Sequence, residues 1–269
     1  MSQGSTKSSS TFLERWTYYK DLAVILTQKD LKVRYANSYL GYFWSLALPL
    51  ALALTFYYVF TVLMNLNIVE NYALFLVTGL FPWQAFQNSI TGGGQVFLGN
   101  SFLLKRVKFP RQFLVLSLLL NEVFHFVMSI PVLLFFLLFY GKLSPKVVIW
   151  LAYIPLNLLP MMLLAFGLSL VIACANVFFR DLDKLVLVLT TIWFYFTPLF
   201  YSVSKVPERF RSLVLLNPMT LIIDNWRNVF MKYSMNWTYW GISMIIGVAM
   251  SGFGYYAYLK LNPRLSEAV

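Results

Sequence analysis

The sequence predicts an all-α membrane protein with six transmembrane helices per subunit, an N-terminal amphipathic interface helix and short re-entrant external helices before the last span. Three observations predict it. Hydrophobic residues make up 59% of the chain and charged residues 12%, whereas soluble domains carry about a quarter charged residues. The apolar residues gather in six runs, each able to cross a bilayer core of roughly 30 Å, which takes about 20 helical residues. Lys and Arg fall mostly between those runs, where they act as topology signals.

Taken in order, residues 1–10 are polar and serine-rich, have nothing to bury and read as a disordered tail. Residues 11–36 read as the interface helix: Phe12, Trp16, Tyr19, Ala23 and Leu26 recur at three- and four-residue steps, with Glu14, Arg15, Lys20 and Asp21 between them, a pattern suited to lying on a membrane surface. Residues 37–269 hold the membrane domain, with apolar runs at 41–64, 72–90, 113–140, 147–175, 185–201 and 237–259. Barrel strands would alternate apolar and polar residues, which these runs do not, and helices satisfy their own backbone in lipid. The fifth run is the shortest, and Pro198 should bend or end it. Between it and the sixth, residues 202–236 mix Leu213 to Leu216 and Leu221 to Ile223 with Pro207, Asn217, Pro218, Asp224 and Arg227. Two short helices broken near Asn217 and Pro218, dipping into the outer leaflet, fit that mixture.

With the N-terminus inside, cytoplasmic segments hold Lys7, Arg15, Lys20, Lys29, Lys32, Arg34, Lys105, Arg106, Lys108, Arg111, Arg180, Lys184, Lys260 and Arg264. This favours cytoplasmic N- and C-termini in a multi-pass protein of the bacterial inner (plasma) membrane, although Lys205, Arg209, Arg211, Arg227 and Lys232 lie outside on that scheme. The net charge of +11 would suggest nucleic acid in a soluble protein; beside apolar runs it serves orientation and anionic lipid instead, so nucleic acid is not an expected partner. Cys174 is the single cysteine and lies in an apolar run, which excludes an intrachain disulfide and a cysteine metal cluster. One histidine cannot build a zinc site, and no metal is expected. No phosphate-binding loop is present, since Phe136 and Leu143 stand where Gly141 and Lys142 would need Gly and Ser or Thr. A transporter built this way draws ATP energy from another chain, or else couples to ions. For ion coupling the candidates are Glu122 and His125, one helical turn apart in the third run, read either as a proton relay or as a structural hydrogen-bonded pair.

Several segments, in order, carry a likeness: Lys29-Asp30-Leu31-Lys32-Val33-Arg34-Tyr35, then Leu40-Gly41 and Trp44; the stretch from Asn100 to Arg111; Phe179-Arg180-Asp181; Pro198-Leu199-Phe200-Tyr201; and Leu216-Asn217-Pro218 with Arg227. Together, over about residues 12–260, they resemble the ABC-2 type permeases that export O-antigen, capsule or teichoic acid polysaccharide, most of all the O-antigen permease. The resemblance implies a homodimer bound to two copies of a P-loop ATPase subunit, which carries the ATP and Mg, with no cofactor on this chain. It implies a lipid-linked glycan on a polyprenyl pyrophosphate carrier, passing between the two subunits, and no catalytic residue here.

The resemblance also distributes roles. Coupling to the ATPase falls to residues 99–111 and 176–184, where Lys105, Arg106, Lys108, Phe178, Phe179, Arg180, Asp181 and Asp183 supply the charged ends and apolar knobs that a force-bearing contact requires. Lys32 and Arg34 read either as contacts for pyrophosphate oxygens as the substrate arrives or as topology signals that bind anionic lipid. Aromatic faces stack on sugars, which makes Tyr57, Tyr58, Trp193, Tyr195, Phe196, Phe200 and Tyr201 the candidate channel lining. Asn217, Pro218 and Arg227 are the candidate external gate.

Overall fold

The computed structural model describes residues 12–35, 41, 43–65, 70–107 and 109–268. The serine-rich tail at 1–10 and the candidate coupling residue Lys108 lie outside the described residues. Among those described, regular structure is helical and no strand occurs. Four helices are long and apolar enough to cross a membrane: Leu46–Leu63, Gln112–Phe139, Pro145–Phe178 and Trp237–Pro263.

Helix α1 (Phe12–Tyr35) packs against α5 (Gln112–Phe139). Ala23 and Leu26 are buried in that contact, and Tyr19 stacks on Phe113 with ring centroids 5.1 Å apart. Trp16, Ile25 and Val33 point outward. Helix α2 (Phe43–Tyr57) continues into a π-helical turn, Tyr58–Leu63, closed by the Met64 N–H donating to the Val59 carbonyl at 2.9 Å. Helix α3 (Tyr72–Gln95) touches α2, α5, α6 (Trp150–Phe178), α7 (Leu182–Phe196) and α9 (Pro218–Lys232). It is buried on nearly every face through its first four turns, Tyr72 to Phe86, where it is almost wholly apolar. It is not among the four long spans; its Gln87 accepts from the Trp83 indole, Gln84 donates to Asn88 and Asn88 donates to Glu122.

Helix α7 stops at Phe196, before the end of its apolar run, because Thr197 precedes Pro198 and takes an extended conformation, φ −87° and ψ 135°. Short α4 (Ser101–Arg106) connects α3 to α5, and α8 (Glu208–Leu216) precedes α9. The break between α8 and α9 falls at Asn217, with Pro218 opening α9 at a position where a missing N–H costs nothing.

Helix α10 (Trp237–Ala268) lies along α6 at very close range. A β-carbon on Gly167 would sit 2.2 Å from the Met250 carbonyl oxygen, and one on Gly254 would sit 2.4 Å from the Gly167 carbonyl oxygen. Close backbone approach of this kind is how membrane helices associate when lipid removes the hydrophobic drive. Proline adds a second tie. Pro160 has no N–H for the carbonyl of Leu156, four residues earlier, and the Trp240 indole of α10 donates to that oxygen at 2.8 Å.

Candidate functional site

At the end of the bundle that carries α4, the turn between α6 and α7 is bolted to the last turn of α3. The Asn176 amide nitrogen donates to the Gly94 carbonyl at 2.6 Å, and its oxygen receives the Asp183 N–H at 3.2 Å. The Gln95 amide donates to the Asp183 carboxylate at 2.7 Å. Phe178, Phe179, Arg180 and Asp181 remain exposed, so the turn presents two rings and two charges on a rigid base. The Lys184 ammonium, 2.8 Å from the Asp181 carboxylate, holds that carboxyl below its ordinary range by hydrogen bond and charge. On α4, Lys105 and Arg106 are exposed, and the Arg106 guanidinium lies 4.2 Å from the centroid of the Phe102 ring.

The residue just before α4 joins this surface to α1. The Lys29 ammonium donates to the Asn100 side-chain oxygen at 2.6 Å, while the Asn100 amide donates to the Val96 carbonyl. Further along the seam, the Ser117 hydroxyl donates to Asp30 at 3.0 Å. Arg34 then reaches the buried Glu122 carboxylate at 2.6 Å, whose second oxygen accepts from the Asn88 amide at 2.9 Å. The Tyr35 hydroxyl is hydrogen-bonded to His125 Nε2. Lys32 and Arg34, paired in the sequence reading, therefore differ: Lys32 is exposed, whereas Arg34 has its charge matched by Glu122. Sequence reasoning passed over Asn88, although an amide inside an apolar segment must find a partner; Asn100 and Asn176 fall inside the expected coupling segments, without a role of their own.

At the other end, α7 and α8 flank an open apolar pocket of about 860 Å³, bordered by Trp193, Tyr195, Phe196 and Tyr201 together with Asn217 and Pro218. The Asn217 side-chain oxygen caps α9 through the Met219 N–H at 3.0 Å and also accepts from the Trp193 indole at 2.8 Å; its amide donates to Thr197. One asparagine thus fixes the start of α9 against the end of α7. Four of the seven aromatic candidates share this pocket. Phe200 is buried instead, 4.2 Å from Phe56 between ring centroids. Tyr57 packs at the edge of the core and Tyr58 is exposed on the π-helical turn. Arg227 is set apart from Asn217 and Pro218: it is buried, donates to the Leu199 carbonyl at 2.8 Å and lies 3.6 Å from the centroid of the Phe75 ring. With Tyr72, which donates to the Phe200 carbonyl at 2.9 Å, it pins the turn that ends α7.

The whole arrangement is helices packed through small residues and buried amides, with ordered turns at one end and an aromatic pocket at the other. Comparison with known proteins accounts for it. Residues 22–231 match the family model described as ABC-2 type transporter. The chain is 39% identical to an O-antigen export system permease protein RfbA of Klebsiella pneumoniae, over 93% of this chain and 95% of that protein. It is 34% identical to a protein of the same name from Myxococcus xanthus, over 81% of this chain and 83% of that one. A match of this extent makes the chain a multi-pass membrane component of a transporter rather than an enzyme, and it belongs to the ABC-2 type transporter family.

Proposed function

We propose that this chain is the permease subunit of an ABC exporter of O-antigen, carrying the polysaccharide on a polyprenyl pyrophosphate lipid across the bacterial inner membrane. The observation that carries this reading is the 39% identity to an O-antigen export permease over nearly the full length of both chains. Such a system works with an ATPase, and the rigid turns at the α4 end suit docking of one. In this reading two copies of the chain pair and two ATPase subunits bind them.

Six spans follow if α3 and α7 cross with the four long helices. Helix α3 has 24 residues and keeps its polar groups against protein. Helix α7 has 15, about 22 Å at the helical rise, and the turn 197–201 completes its crossing. The α4 end then faces the cytoplasm with both termini, and α8 and α9 lie in the outer leaflet. ATP binding would draw the ATPase subunits together and press on Phe179, Arg180 and α4. The tie from Asn100 to Lys29 would pass that movement to α1, which stands as the gate at the membrane surface. Lys32, exposed near the C-terminal end of α1, suits the first contact with pyrophosphate, and the pocket of Trp193, Tyr195, Phe196 and Tyr201 suits sugar faces.

The ion-coupled alternative is weakened by Glu122, whose two carboxylate oxygens are held by Arg34 and Asn88. Reconstitution decides between the readings. The chain purified with a P-loop ATPase should move lipid-linked polysaccharide across vesicle membranes only while ATP is hydrolysed. Gradient-driven flux of the polymer by this chain alone would overturn the proposal.

A further inference from the structure

Arg227 raises a question that its role as a pin does not answer. Its side chain is all but enclosed, with 4% of the residue exposed. An arginine stays charged under such conditions and offers five N–H donors. Only Nη2 has an oxygen partner, the Leu199 carbonyl; Nε and Nη1 have no hydrogen-bond partner among the described residues and are closed to water, so a ligand meets them only if the side chain shifts. The Phe75 ring covers one face of the cation, a favourable contact that does not replace hydrogen bonds in the guanidinium plane. Space for the group is built in, since a β-carbon on Gly79 would lie 3.1 Å from Nη2. A buried cation with donors left over calls for an explanation.

Arg227 forms part of the wall of a cavity of about 310 Å³ among α3, α9 and the turn after α5. The charges around it are unbalanced. Glu70 and Lys142 neutralise each other at 2.9 Å. That leaves Arg227 and Lys232 against Asp224, one positive charge in excess. Asn71, Asn228 and Ser202 add neutral hydrogen-bonding groups. A guanidinium, a lysine and several neutral donors around a small cavity form a setting for oxyanion oxygens, and arginine matches phosphate in particular.

We propose that this cavity, bordered by Ser202 one residue on from Tyr201 of the aromatic pocket, binds a phosphate group. Two sources share that chemistry: a phospholipid headgroup, and a phosphate or pyrophosphate reaching the site from water. The site does not depend on what the transporter exports, so failure here and failure of the export reading are separate results.

The test uses the full-length chain in nanodiscs of an uncharged galactolipid, titrated with inorganic pyrophosphate at constant ionic strength and followed by thermal unfolding. Arg227 itself is a poor probe, because its loss also frees Leu199. Lys232→Gln and Asp224→Asn change the charge of the cavity and leave that pin intact. Pyrophosphate should raise the unfolding temperature saturably. Half-saturation should weaken about tenfold in Lys232→Gln and tighten in Asp224→Asn. A second arm uses discs of phosphatidylglycerol. If the headgroup is the ligand, that lipid alone stabilises the protein, pyrophosphate adds nothing, and Lys232→Gln cancels the gain. Absence of stabilisation in both arms, or equal stabilisation of all three proteins, would overturn the proposal and leave the guanidinium to water.

Discussion

Glu122 lies one helical turn from a histidine in an apolar helix, the pattern of a proton relay, but its surroundings are those of a strut. Arg34 and Asn88 occupy its two oxygens, and Tyr35 engages the histidine beside it. Glu122→Gln should therefore cost about 1–3 kcal/mol of thermal stability, the range for weakening a buried charge-assisted bond, and export should fall only as far as stability does. A variant of normal stability that no longer transports would restore the relay. Trp240→Phe leaves the Leu156 carbonyl without its donor and should cost about 1–2 kcal/mol, read by thermal unfolding in detergent. Lys142, by hydrogen bond and charge, holds the Glu70 carboxyl below its ordinary range. A carboxyl depressed on folding adds stability above its unfolded pKa, and that stability disappears as pH falls through the folded value. Lys142→Gln should flatten the acid limb of stability against pH, by a small amount because the pair is exposed. Such partners were not legible in the sequence. An amide in an apolar run announces that it needs a partner without saying that Asn88 meets Glu122, and nothing local says that Asn176, just past its run, meets Gly94.

Among the elements, what was legible followed from local rules. Pro198 ends α7 through the residue before it, and Asn217 with Pro218 both stops α8 and caps α9. Those signals act within a few residues, so they can be read without the fold. The close lie of α10 on α6 could not, because Gly167 and Gly254 acquire meaning only once they face each other. Neither could the tie of α1 to the residue before α4: periodicity marks α1 as amphipathic, and the Lys29 to Asn100 bond is long-range. That bond makes a prediction at this scale. Asn100→Ala or Lys29→Ala should leave the complex assembled and hydrolysing ATP while export falls, a coupling loss of about 0.5–2 kcal/mol. Measuring phosphate release and polymer export on the same vesicles checks it; parallel loss of both would point to misassembly instead.

For the whole molecule, the exposed side of α7 bears on assembly. Val188, Ile192 and Tyr195 recur at helical spacing on an outward face, beside the apolar pocket. In the proposed homodimer this face meets its copy. In a Cys174→Ser background, Ile192→Cys should give a disulfide-linked dimer on mild oxidation in the membrane, seen as a doubled mass on non-reducing gels. Exclusively monomeric chain under those conditions would move the subunit contact elsewhere.

The seam between α6 and α10 also bears on where a bulky polymer can pass. Two backbones in van der Waals contact, stitched by an indole to a carbonyl that proline left bare, cannot part or slide without opening a void in lipid. In the proposed exporter this couple would serve as the stator. Widening during a transport cycle must then be borne by the rotor side, the shorter α7 and the loosely flanked α2.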